Sequence, residues 1–273
     1  MDINAIKAKL DALNSNSQGK EKIDYSKVFW KPEFGKQTIR IVPSATNPAF
    51  PFTELKFHYG VGKYPMIALS NFGKQDPVEE FTKELKKTSD KDNWSLAGKL
   101  SPKTRIFAPV VVRGEEDQGV RLWGFGVTIY KALLALAEDE DIGDFTDVLN
   151  GWDMVVEKSQ GNPYPETSVR IKPKQTPLSD NNDQVETWLK EQPVPVESFT
   201  QYDYDFIKKQ LASYLDPNTA EEGQSAPATQ PAAPAAPAAP AATPAKPASD
   251  FTFQNAAEGK KDTVSKFDEL FNE

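Results

Sequence analysis

SPKTRIFAPVVVRG, residues 101–114, decides how the chain is read. At period two, Ile106, Ala108, Val110 and Val112 fall on one face of a strand. Arg105, Phe107 and Arg113 fall on the other, with Lys103 just before them. An ordinary half-buried strand turns bland polar residues to water; this one turns guanidinium groups and a ring outward. Two further stretches repeat the arrangement. In VRLWGFGV (120–127), Val120 and Leu122 alternate with Arg121, Trp123 and Phe125. In SVRIKPK (168–174), Val169 and Ile171 alternate with Arg170 and Lys172. The pattern predicts strands that each carry one apolar face and one face of cations and flat rings. Such a face suits single-stranded nucleic acid, which offers phosphates to Lys and Arg and unpaired bases to aromatic rings. The competing reading buries the strands on both faces, with Trp123 and Phe125 in the core and the cations at its rim. Against it stands the cost of burying interleaved arginines without partners.

The rest of the chain narrows the function class. It has 273 residues, 22 prolines and no cysteine, and a mean hydropathy of −0.58. The lack of thiols excludes disulfides and thiolate zinc sites and suits a reducing compartment. No stretch approaches the roughly 20 apolar residues of a membrane span, and none resembles a signal peptide. The chain therefore reads as soluble and intracellular, with no membrane partner. The net charge of −8 hides an uneven spread: residues 22–130 hold 17 Lys/Arg against 12 Asp/Glu, and residues 131–219 hold 8 against 17. A basic first half with an acidic counterweight points to a polyanion site. His58 is the one histidine. No phosphate-binding loop, nucleophile elbow or metal-ligand spacing accompanies it. The chain reads as a binding protein, not an enzyme.

Four segments follow from pattern and composition. Residues 1–21 form an arm in which Ile3, Ile6, Leu10 and Leu13 recur at helical spacing. Residues 22–215 form the folded core, mainly β with helical insertions. QTIRIVP (37–43), which contributes Arg40 to the candidate cations, and FTELKFHY (52–59) read as strands, as do DMVVEKS and ETSVRIKPK. DPVEEFTKELKK (76–87) reads as a helix capped by Asp76 with Pro77 in its first turn. Helices are also predicted in 128–141, VETWLKE and FTQYDYDFIKKQLASYL. Residues 216–249 contain a proline-alanine linker that should stay extended. Residues 250–273 return to acids and phenylalanines, and TVSKFDELF places Phe267 and Phe271 to form a short amphipathic helix. With Asp268, Glu269 and Leu270 they make a candidate partner-binding hook.

In several stretches the chain resembles the helix-destabilising single-stranded-DNA-binding proteins of T-even bacteriophages and their marine relatives. QTIRIVPS, PFTELKFHYG, NWSLAGKLSPKTRIFAPVVVRG and GVRLWGFGVTIYKAL carry the resemblance, in order, and the acidic end stands where the family has its partner-binding tail. The resemblance implies an oligonucleotide/oligosaccharide-binding (OB) β-barrel, flanked by a flexible N-terminal arm and a disordered acidic tail. Carried over by position, it implies base-stacking roles for Trp94, Trp123 and Tyr164, and phosphate contacts for Lys99, Lys103 and Arg105. It implies head-to-tail self-association through Ile3, Ile6, Lys7, Lys9 and Leu10. It also implies replication proteins (polymerase, helicase loader, recombinase mediator) as partners of the tail, and the cytoplasm of a bacterial host as location. The family's zinc site uses one histidine and three cysteines. His58 stands at the histidine's place, but Asp76 and Glu79 sit where the cysteine pair would, so the metal is expected to be lost and no cofactor is expected. The function expected is sequence-independent binding of single-stranded DNA in replication, recombination and repair. A protein-interaction scaffold and an RNA-binding translational repressor are the alternatives.

Overall fold

A computed structural model describes residues 25–216, together with 266, 267, 270 and 271. The N-terminal arm with Ile3, Ile6, Lys7, Lys9 and Leu10, nearly all of the linker, and Asp268 and Glu269 lie outside the described residues.

The opening stretch forms β5 (Lys103–Val112), the spine of an eight-stranded sheet. One edge of β5 pairs antiparallel with β6 (Arg121–Phe125). The other edge is shared: β3 (Thr53–His58) takes its first half and β2 (Gly35–Ile41) its end. β2 continues to β7 (Gly151–Ser159), and β7 to β8 (Glu166–Thr176), the outer strand. A short helix, α1 (Tyr25–Val28), leads into β1 (Phe29–Trp30), which runs parallel to β6; β4 (Met66–Ile67) pairs with β3. The order β1-β6-β5-β2-β7-β8 ends in β1 and β8, and among the described residues no ladder joins them. The chain is mainly β with helical insertions, as expected, but the sheet is open and mixed where the resemblance implied a closed barrel.

β5 is covered on both faces, and here the alternation argument fails. Ile106, Ala108, Val110 and Val112 face the main core with Ile39, Ile41 and Met154, as expected; α4 (Val127–Glu138) lays Leu133 into the same core. Phe107, expected outward, is buried with Leu55, Phe57 and Leu122. Val111 joins Val42 and Trp188 of α5 (Asn182–Lys190). Register explains the rest. Ala108 lies opposite Trp123 and Ile106 opposite Phe125. Directly opposed residues share a face, so both rings belong with the aliphatic set. Trp123 is 1% exposed, between Trp30 at 5.7 Å and Phe125 at 4.5 Å. Phe107 lies opposite Gly124, where an added Cβ would stand 2.8 Å from its ring. Only a glycine lets that ring lie across the neighbouring strand.

The helices form where local signals agree. α2 (Pro77–Lys87) begins at Asp76, whose carboxylate accepts from the amides of Val78 and Glu79 at 3.0 and 3.2 Å. Pro77 occupies its first turn, acids follow, and lysines close it. α3 (Lys91–Leu100), which the pattern did not predict, is capped by Asp90 through a 2.9 Å bond from the Asp92 amide. α6 (Tyr204–Leu215) closes the described core. The chain divides into two compact units. The first holds the sheet: the described residues up to Phe57, with Met66–Lys74 and Pro102–Gln201. The second holds α2, α3 and α6: His58–Pro65, Gln75–Ser101 and the described residues from Tyr202 onward. Among the described residues no helix is long and apolar enough to cross a membrane.

Candidate nucleic-acid interface

Three of the expected cations are engaged within the fold. Arg40 is fully buried: it bonds the Asp153 carboxylate at 3.2 Å, the Asp147 carbonyl at 3.2 Å, and both the hydroxyl and the carbonyl of Thr176. Burial holds its pKa below the usual arginine range, with Asp153 drawing it back up. Arg113 is half-buried and grips the same carboxylate at 2.9 Å, adding the Leu178 carbonyl at 2.8 Å. Arg121 is buried and paired with Glu115 at 2.6 Å. A guanidinium buried and paired this way lacks the exposure to meet a phosphate. Arg40, Arg113 and Arg121 are therefore corrected from DNA contacts to structural clamps. Phe107, Trp123 and Phe125 are likewise corrected to core residues.

β8 carries the complementary pattern. Its burial alternates, because as an outer strand it has one covered face and one open one. Val169 and Ile171 pack toward the main core, while Arg170 is exposed and Lys172 half-exposed, as the sequence predicts. Lys174 continues the row at the same spacing, and the sequence reading passed over it. Among the described residues the side chains of Arg170, Lys172 and Lys174 have no hydrogen-bond or ion-pair partner. The turn before β8 carries Tyr164, 78% exposed. The register Gly35↔Lys158↔Thr167 brings the start of β2 to the same end of the sheet. There Phe34 is 60% exposed, and Lys158 stands 4.8 Å from its ring centre while donating to the Pro32 carbonyl at 3.2 Å. Sequence reasoning missed Phe34. Its signal was an aromatic between proline and glycine in KPEFGK, a loop ring with no strand to bury it.

Other expected residues lie on other elements. Lys103 and Arg105 are exposed at the start of β5, and Arg105 donates to the Gly124 carbonyl at 3.1 Å. In the second unit Trp94 is 54% exposed on α3, its indole fixed by a 2.9 Å bond to the Thr88 carbonyl. Lys99 is exposed on the same helix. Tyr64, over half exposed with Lys63 5.4 Å from its ring, is a further ring the pattern passed over. Of the tail residues, Phe267 is buried in the second unit, Phe271 half-buried and Leu270 exposed.

The donor set at the family's metal position does not fit a thiolate zinc centre. His58 Nε2 lies 2.9 Å from Asp76 Oδ2, both side chains fully buried, and the other oxygen of Asp76 caps α2. Among the described residues no group of three or more His, Cys, Asp or Glu comes together as a metal site, and His58 Nδ1 has no hydrogen-bond partner.

A row of cations unpaired among the described residues runs along an outer strand, with exposed rings at its hairpin end, and can neutralise a chain of phosphates and stack flat ligands. The family model described as gp32 DNA binding protein like matches residues 33–213. No individual curated protein matches the chain.

Proposed function

The chain belongs to the gp32-like DNA-binding proteins, and on that premise we propose that it binds single-stranded DNA without reading sequence. The observation that carries the proposal is the β8 row: Arg170, Lys172 and Lys174, whose side chains have no partner among the described residues, with Tyr164 and Phe34 at the hairpin end. Each phosphate neutralised on a single strand contributes about 0.7 to the salt slope, and each stacked base contributes about 1–3 kcal/mol. Duplex DNA hides its bases, so the rings favour the unpaired strand. Trp94, Lys99, Lys103 and Arg105 supply further contacts. The sharing of one β5 edge between β2 and β3 supports reading the core as an opened OB-type sheet.

The protein works by capture, stoichiometrically and without zinc, covering strands exposed in phage replication, recombination and repair. Its N-terminal arm links neighbouring copies along the strand, and its tail recruits replication proteins. The test is a titration with oligo-dT, matched oligo-U and matched duplex. Trp30, Trp123 and Trp188 are buried and Trp152 half-buried, so fluorescence quenching reports chiefly on Trp94. We expect quenching and tight binding with oligo-dT, with duplex weaker by at least tenfold. Equal affinity for duplex and single strand would remove the proposal, and a preference for oligo-U would transfer it to RNA.

A further inference from the structure

We propose that the notch formed by α2 and α6 in the second unit is a docking site for an acidic, aromatic helix, and that the chain's own C-terminal segment is its ligand. The inference stands without the single-strand reading, since every contact it uses is between protein groups.

The notch has a buried apolar base. Val78, Phe81 and Leu85 of α2 and Ile207 and Leu211 of α6 are all fully buried. Tyr204 donates to Glu80 at 2.6 Å and fixes one helix to the other. Onto this base comes a segment far away in sequence. Phe267 is 5% exposed, edge-on to Phe81 at 5.9 Å and 4.9 Å from Phe271. Phe271 meets Tyr204 at 6.4 Å. Lys208 donates to the Phe271 carbonyl at 2.7 Å and stands 5.2 Å from its ring centre. Residues 266, 267, 270 and 271 are helical, so rings four apart share a face. Leu270, beside them, is exposed.

Two features distinguish a docked ligand from a permanent part of the core. Residues 217–265 separate α6 from the hook, a span able to reach well over roughly 100 Å at full extension. A tether of that length presents the hook at an effective concentration on the order of a millimolar or below, so a modest intrinsic affinity suffices for occupancy. The same arithmetic lets a stronger competitor displace it. Secondly, the hook's sequence alternates aromatics with acids, KFDELF, while the notch contributes Lys208 with Lys209 beside it. The rings that a partner protein would seize are thus held in cis, and recruitment through the tail becomes a competition with the notch.

The test uses the full chain and a fluorescein-labelled peptide of residues 260–273. In the wild type the notch is occupied, and the peptide should bind weakly. In the double variant Phe267→Ala, Phe271→Ala the notch is empty, and the peptide should bind at least tenfold more tightly. Adding Lys208→Glu to that variant should reverse the gain by fivefold or more without lowering its melting temperature. A peptide lacking both phenylalanines should not bind. Equal binding to wild type and double variant, or binding to neither, overturns the proposal. So does a concentration-dependent dimer of the wild type that the double variant loses, since the hook would then sit on a second copy.

Discussion

A single carboxylate, Asp153, explains why arginine is a poor marker of the binding surface in this chain. It accepts from both Arg40 and Arg113, gathering side chains from β2, β7 and the end of β5. Gly151 tightens the arrangement: a Cβ there would stand 2.3 Å from the Asp147 carbonyl and 2.7 Å from Arg40. Replacing Asp153 with Ala leaves a buried guanidinium without its counter-charge, which should cost about 3–5 kcal/mol in urea unfolding. Arg170→Ala, by contrast, should leave stability within about 0.5 kcal/mol and reduce the salt slope of single-strand binding by about 0.7. If the two variants behave alike in either assay, the division of cations into clamps and contacts is wrong. A second residue gives a signature in pH. Tyr130 donates to Glu54 at 2.9 Å, and burial, with that bond second, raises its pKa from 10.0 to about 12. The folded state therefore holds the phenol proton more tightly than the unfolded chain does. The resulting stability is complete below pH 10 and is lost as the pH rises through 12. The gap in melting temperature between wild type and Tyr130→Phe should be steady from about pH 7 to 9.5 and narrow above that. A gap constant up to pH 12 would contradict the assignment.

Strand position decides which period-two patterns can be trusted. β8, an outer strand, shows its alternation faithfully: Val169 and Ile171 inward, Arg170 outward. β5 and β6 lie inside the sheet with packing on both faces, so alternation there separates one core from another. The capped helix at 77–87 was legible because all of its signals are local: Asp76, Pro77, first-turn acids and last-turn lysines. α3 was not, since KDNWSLAGKL has one cap and no clear stripe. The pairing of Arg40 with Asp153, 113 residues away, and of Ala108 with Trp123 depends on sheet order, which no local pattern encodes. Tyr164 and Trp94, by contrast, stand exposed where the resemblance gave them stacking roles. For the strands the consequence is measurable. Trp123→Ala empties a site walled by Trp30 and Phe125 and should destabilise by about 3–5 kcal/mol. Tyr164→Ala should weaken oligonucleotide binding with little change in melting temperature. Were Trp123→Ala to fold normally and bind DNA poorly, the indole would belong to the interface after all.

At the scale of the whole molecule, the acidic total and the cationic row on β8 must coexist, and the acidic C-terminal sequence weighs in that balance. Residues 250–273 carry six Asp/Glu and three Lys, a net of −3 on a tether. Held near the cations, this charge competes with phosphate through an interaction that fades over a Debye length of about 10 Å at 0.1 M salt. Removing residues 250–273 should therefore tighten oligo-dT binding by roughly three- to tenfold at 50 mM salt and leave it unchanged at about 0.5 M. The Phe267→Ala, Phe271→Ala variant keeps every acid and should stay close to the wild type in this assay, because it alters only where the hook rests. The contrast separates two roles of one segment. On the proposed reading, charge would govern access of DNA to the cations and the rings would govern docking to protein. If the two variants instead tighten DNA binding equally, the hook's seat on α2 and α6 would itself be what restrains the DNA site, and the tail would act through its phenylalanines and not through its charge.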